Sequence, residues 1–487
     1  MARKNSLPGK DAELSKLIAQ YEAMKAEEKS TYMDGDQLAD IADRYAIEQR
    51  FQEAQEVINY GLSLHPNNTD LLIEQAYLYL DTQKIQEASE LTDSIAETYA
   101  SEVKILKAEI LLNQGKLDAA ELLLATLEDQ DDLDTIIEVS YLYIDMGYSE
   151  KALPWLTKGL PKYSEEEDFL AACADCYFAE NQFEKAEFFY NKLIDLCPFH
   201  APYWLGLAKS YFAEQNFAKT LEAVDFALAA DEHFGEAHLM RAHCLFHLDN
   251  EAEAVAAYEK ALEYKSLSPA FAYMFIGLVY SDGNNDEKAI EYFSRSISEL
   301  TKDGEVDSPI LPDLYCNQAL CLSKQGKYEE AHKFCEEAKA CFPDDCEPYL
   351  INGRIYMAEG KDIKAKEQWE LALTYMPDPE TWHQIGTYYL EYNMLENARF
   401  CLEEALKINP EMEGINEELA SICIMLKDHK AFYKYNQLSK HPINFDTLCE
   451  SLADKGPSQL LDELQNFLKE IKEDDSAKTD TNDQKES

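Results

Sequence analysis

Basic residues are scarce in this 487-residue chain: 44 Lys plus Arg stand against 94 Asp plus Glu, a formal charge of −50. That balance argues against nucleic acid and anionic membrane surfaces as partners, because both are polyanions. Long apolar runs are also missing. No stretch of 18 apolar residues occurs, so no membrane insertion is expected. The opening MARKNSLPGKDAELSKL has basic residues but no apolar h-region, so no secretory signal is expected. Catalytic signatures are absent too: there is no GxxxxGK(S/T) phosphate loop, no GxGxxG, no GxSxG and no HExxH. Carboxylates such as Glu165, Glu166 and Glu167 come in runs, which reads as a solvated face or turn rather than an acid–base pair. No cofactor and no catalysis are expected.

What is present is enough apolar material for a folded chain. Apolar residues make up 46% and aromatics 11%, which excludes global disorder. The twelve cysteines are scattered, and Cys173, Cys244 and Cys423 fall within helical patterns. They read as small core fillers of a reducing compartment, and the protein is expected in the cytoplasm.

The dominant feature is a repeat. Taking Ala201 as position 1, Trp204, Leu207, Ala208, Tyr211, Val224 and Ala227 fall at 4, 7, 8, 11, 24 and 27. From Pro379 the same places hold Trp382, Ile385, Gly386, Tyr389, Leu402 and Ala405, with Ala398 at 20 and Pro410 at 32. From Glu167 they hold Leu170, Cys173, Ala174, Tyr177, Ala186, Tyr190, Leu193 and Pro198. Twelve starts share this register: Gly35, Thr69, Ser101, Leu133, Glu167, Ala201, Gly235, Ala270, Pro312, Cys346, Pro379 and Glu413. Position 8 is small in all twelve, and position 20 is Ala or Thr in the first eleven. Small residues there let two helices approach closely, while bulky residues at 24 fill the gap between units. Proline at 32 stops the second helix.

This pattern resembles the tetratricopeptide repeat family, whose unit is 34 residues of helix, turn, helix. The resemblance covers residues 35–442. It implies an all-α, right-handed α-solenoid of about twelve repeats. Residues 1–34, with a helix from Asp11 to Glu28, are expected to cap its start. Residues 443–471 are expected to close its end with two helices, and 472–487 to be a disordered acidic tail. The units at Thr69 and Ser101 are short, and the one at Glu413 loses register near Phe432. A 42-residue step precedes Pro312 and reads as a tolerated surface insertion near TKDGEVDSP.

In the family, positions 2, 5, 6, 9, 12 and 13 line a concave groove. Carried onto the first five units, these thirty positions hold thirteen carboxylates and no Lys or Arg. The next three units offer an apolar stretch. The resemblance therefore implies a polypeptide-binding scaffold or adaptor. Its candidate groove residues are Asp40, Glu74, Glu138 and Asp175 for basic residues of the partner. Tyr77, Tyr141, Phe178, Phe212, Phe246, Phe271 and Phe275 are candidate apolar anchors. The bland alternative is that the acidic stretch is only a solvated face. A second reading is a structural subunit that uses its convex face or its caps. His243 and His247, four apart on one helix, are a weak zinc pair and read first as structural histidines. Cys173 and Cys176 form a CxxC that reads as packing rather than redox chemistry. Some members of the family hold a partner's C-terminal carboxylate with Lys at position 5 and Asn at position 9; neither residue stands there in any unit. The partner expected is protein, and the oligomeric state is open.

Overall fold

The computed structural model describes residues 8–26, 32–302 and 308–442. The expected closing helices at 443–471 and the tail at 472–487 lie outside the described residues, as do the last two residues of the expected leading helix. The described residues hold 25 α-helices and no strand. They fall into two compact units, Met1–Ser266 and Leu267–Ser487.

In the first unit the leading helix Pro8–Ala26 packs on a pair formed by Gly35–Ile47 and Phe51–Leu64. Tyr21 is buried there, and the Tyr45 hydroxyl donates to Glu22 at 3.0 Å. Six more pairs follow: Thr69–Asp81 with Ile85–Ser94, Ser101–Asn113 with Leu117–Leu124, and Leu133–Asp145 with Ser149–Tyr163; then Glu167–Ala179 with Phe183–Leu196, Ala201–Ala213 with Phe217–Ala230, and Gly235–His247 with Glu251–Glu263. The second unit holds five pairs. They are Pro269–Asp282 with Asp286–Leu300, Leu311–Lys324 with Tyr328–Cys341, Glu347–Ala358 with Asp362–Tyr375, Pro379–Glu391 with Leu395–Ile408, and Ile415–Met425 with His429–Leu438. The extra residues before Pro312 therefore do not extend the helix, which ends at Leu300.

One backbone device turns every pair. The second-last residue before each second helix begins, such as Gln49, Gly147, Gln215 or Gly326, has a left-handed φ between 55° and 78°. The next residue's N–H then reaches back five residues, as Tyr148 does to the Tyr143 carbonyl at 2.8 Å and Asn216 to Tyr211 at 2.9 Å. That is the Schellman closure of a helix C-terminus, and it satisfies a carbonyl that would otherwise be orphaned.

The small residues do what their spacing implies. Ala42, Ala76, Ala108, Ala174, Ala208 and Ala242 are buried, as are their partners Ala54, Ala88, Ala120, Ala186 and Ala254. Where position 8 is glycine, a bulky side chain from the second helix occupies the Cβ space. A Cβ on Gly277 would stand 2.6 Å from the Phe293 ring, and one on Gly353 would overlap the Trp369 indole. The last pair departs from this rule: Phe432 stands where the others carry a small residue, and it is fully buried beside Leu419 and Ala420.

In the first unit, the first helices of consecutive pairs touch each other along the whole row, while second helices touch mainly the first helix that follows. A row whose first helices stand closer together than its second helices curves toward the first. The concave side of this unit is therefore lined by first helices.

Candidate protein-interaction surface

The inner face of the first unit sorts its side chains by depth. Position 5 mostly sinks between helices: Ala39, Ile73, Ile105 and Leu205 are buried and do not line the surface. At position 6 Asp40 is exposed and Glu74 and Glu138 are half-buried, whereas Leu106 and Ala172 are buried. Position 2 adds an acidic line. Asp70 has its carboxyl pushed above the usual range by burial and then by the neighbouring Asp36, with Glu102 of the next pair acting in the same direction. Like charges from three successive pairs thus feel one another. Glu109 is only 3% exposed and belongs to the wall rather than to the surface.

The basic side chains of this unit lie elsewhere. Lys151 pairs with Glu121 at 2.6 Å and Lys158 with Asp131 at 2.6 Å, both from second helices. Lys185 and Lys219 lie over the Tyr177 and Tyr211 rings, 5.0 and 4.6 Å from the centroids. The first lysine at a groove position of the register is Lys209, the exception in this unit, which meets Glu236 at 3.5 Å.

Asp175 has a different surrounding from Asp40 and Glu74. Its two oxygens accept the Tyr141 hydroxyl at 2.9 Å and the Tyr190 hydroxyl at 2.6 Å. Burial raises its pKa against the pull of those two donors. The Tyr190 ring in turn fills the space beside Gly206, where no Cβ would fit. Carboxylate and phenols together tie three consecutive pairs. Spacing alone could not show this, although Tyr at position 24 is a usable signal.

Phe178 packs on Phe183 at 5.7 Å between ring centroids, and Phe212 on Phe217 at 5.7 Å. His247 lies parallel to Phe217 at 5.2 Å and also approaches Phe212 and Phe246. Phe178, Phe212 and Phe246 are thus half-buried members of an aromatic edge where first helices end. Tyr77 is half-buried on the same layer of helices. Phe271, 39% exposed, and the half-buried Phe275 belong to the second unit, on Pro269–Asp282.

His243 has another partner: its Nδ1 meets the Tyr258 hydroxyl at 2.9 Å, and burial, then the neighbouring His247, lowers its pKa. Among the described residues no group of three or more His, Cys, Asp or Glu side chains is placed to hold a metal. Cys173 and Cys176 are buried, each pushed up to about 12 by burial, so both stay as inert thiols. Outer-face residues escaped the sequence reading. Leu122, Phe188 and Phe226, on second helices of the first unit, are 73%, 55% and 56% exposed. Apolar residues at solvent-facing helical positions are the signal that marks them.

In the second unit the charges are mixed. Arg354 grips Glu391 with two hydrogen bonds of 2.9 Å, and His383 meets Glu418 at 2.9 Å. Among the described residues no helix is long and apolar enough to cross a membrane.

Comparison with known proteins agrees with this architecture. Family models described as tetratricopeptide repeat match residues 168–200, 205–271, 272–299, 312–345 and 379–412. Anaphase-promoting complex subunit 7 of Dictyostelium discoideum is 26% identical over 238 residues, 49% of this chain and 39% of that protein. The TPR repeat-containing protein YpiA of Bacillus subtilis (strain 168) is 22% identical over 407 residues, 75% of this chain and 85% of that protein. The match spans only about two-fifths of the first curated relatives' own length. Among solved structures, yeast Tom70 aligns with 91% of this chain and 96% of its own at 16% identity, with a TM-score of 0.43. Paired helices, their closely packed small residues and these family matches agree: the chain is a tetratricopeptide-repeat protein.

Proposed function

We propose that this protein is a non-catalytic scaffold whose first unit binds basic polypeptide segments along its inner face. The single observation that carries this reading is the charge pattern: thirteen carboxylates and no Lys or Arg at the thirty groove positions of the register, with only Glu109 and Asp175 of the thirteen given over to the wall. A partner's cations would be drawn in by Asp40, Glu74 and Glu138, and its apolar side chain would rest on the aromatic edge of Phe178, Phe212 and Phe246. Asp175 serves the wall, because two phenols already occupy its oxygens. The twelve helix pairs are read as twelve repeats, seven in the first unit and five in the second. The relative from Dictyostelium is by name a subunit of a complex, which supports an assembly role here. The eleven cysteines of the described residues are all free, which supports a reducing, cytoplasmic setting.

The test is capture of partners from native lysate by the wild-type chain and by a variant with Glu74→Lys and Glu138→Lys. The variant should lose its partners, and raising the salt should weaken the wild-type complexes, because exposed charge attraction is screened beyond about 8 Å at physiological ionic strength. An unchanged set of captured proteins would refute the inner face. The exposed Leu122, Phe188 and Phe226 favour a second reading, a structural subunit held by its outer face. Phe188→Ser with Phe226→Ser would then abolish capture while the lysine variant kept it.

A further inference from the structure

The second unit contains a cleft that the inner-face reading does not use. It has a volume of about 340 Å³ and is lined by Pro309, Pro312, Phe342, Pro343, Asp344 and Asp345. Two chain segments some thirty residues apart make it: the approach to helix Leu311–Lys324, and the turn between Tyr328–Cys341 and Glu347–Ala358. The turn is pre-formed. Asp345 N–H donates to the Phe342 carbonyl at 3.2 Å, the Asp345 carboxylate accepts the Glu347 N–H at 3.0 Å, and the Tyr349 hydroxyl donates to the Pro343 carbonyl at 3.4 Å. Three prolines and a phenylalanine that is 37% exposed give the cleft apolar walls. Asp344 and Asp345 stand on its rim, and Asp313 follows Pro312 directly.

The rim lacks a counter-charge. Among the described residues no ion pair involves Asp313, Asp344 or Asp345. Burial and the Asp345 charge together raise the Asp313 pKa. Glu347 is raised chiefly by burial, with Asp345 and Asp313 adding to it, while a hydrogen bond from Gln384 opposes. The guanidinium that acts on Glu347, Arg354, is already held by both oxygens of Glu391. An apolar slot ending in uncompensated carboxylates matches one kind of group: a long aliphatic stem carrying a cation.

We propose that this cleft seats a lysine or arginine side chain of a basic polypeptide segment, its stem against Pro309, Pro312 and Phe342 and its cation at Asp344, Asp345 and Asp313. The site is separate from the inner face of the first unit and does not depend on it.

The experiment uses the full chain and a photo-reactive peptide, acetyl-Gly-Lys-Lys-Ala-Gly-amide with a diazirine tag, beside its Nε-acetylated counterpart. Affinity is measured by titration calorimetry, and adducts are mapped by mass spectrometry. The expected adducts fall within 309–313 or 342–345. Asp313→Asn with Asp344→Asn should weaken binding about tenfold or more, and Phe342→Ala should also weaken it. Both sets replace surface groups, and an unchanged helical circular dichroism signal checks that the fold is intact. Glu74→Lys with Glu138→Lys should leave these adducts in place, so failure of the first unit's reading is seen separately. No adduct within 309–313 or 342–345, equal labelling there by the acetylated peptide, or unchanged labelling there in the double-asparagine variant would each overturn the proposal.

Discussion

At the scale of single residues, the packing of each helix pair depends on what stands opposite its small position. Gly353 and Gly386 occupy equivalent places and make a controlled comparison. The Trp369 indole beside Gly353 is buried and anchored, its Nε1 donating to the Leu350 carbonyl at 3.0 Å. A methyl group at 353 cannot be accommodated by a small shift. Gly353→Ala should therefore cost about 1–3 kcal/mol from overpacking, against about 1 kcal/mol regained from helix propensity. At Gly386 the nearest atoms are 3.1 Å away on the flexible Leu402 side chain. Gly386→Ala should be close to neutral. Thermal unfolding of the two variants decides this: equal midpoints would contradict it. The small position was legible in the sequence, but the immobility of its neighbour was not, since the Trp369 hydrogen bond depends on the path of another helix.

At the scale of the helix pair, the left-handed turn residue is the recurring cost of reversing direction. A Cβ added to Gly147, at φ 76°, would have no neighbour within 4 Å. Gly147→Ala thus isolates the backbone term and should destabilise by about 1–2 kcal/mol. The Tyr148 amide, which closes the turn on Tyr143, should exchange its hydrogen faster; an amide as protected as in the parent would sink this account. Elements with little second helix, Ile85–Ser94 and Leu117–Leu124, coincide with the units that looked short in sequence. Asp40, Glu74 and Glu138 were assigned to the groove from their register alone. Asp175 shared that register, yet its role was not readable, because its two partners come from different helices, one of them a second helix.

At the scale of the whole molecule, a formal charge of −50 means that the folded chain repels itself. Added salt screens that repulsion and should raise the melting temperature, while it weakens capture of basic partners. The two effects have opposite signs, so loss of binding through unfolding can be told from loss through screening. A melting temperature that falls with moderate salt would show that attractive surface pairs, such as Arg399 with Glu403 and Asp428, outweigh the repulsion.

The fold class was legible in the order of residues. Close packing of two helices requires small residues at fixed intervals, and that requirement repeats along the chain wherever a pair stacks on the next. Which carboxylates are taken up by neighbours emerged only on folding. It turned Asp175 into an acceptor for two phenols, drew Glu109 into the wall, and brought Pro309 and Pro343 together around a cleft. It also divided the chain at Ser266. The physical reason is that a side chain's neighbours come from a pair about one repeat away in sequence. Its packing positions obey the period, whereas its polar positions do not.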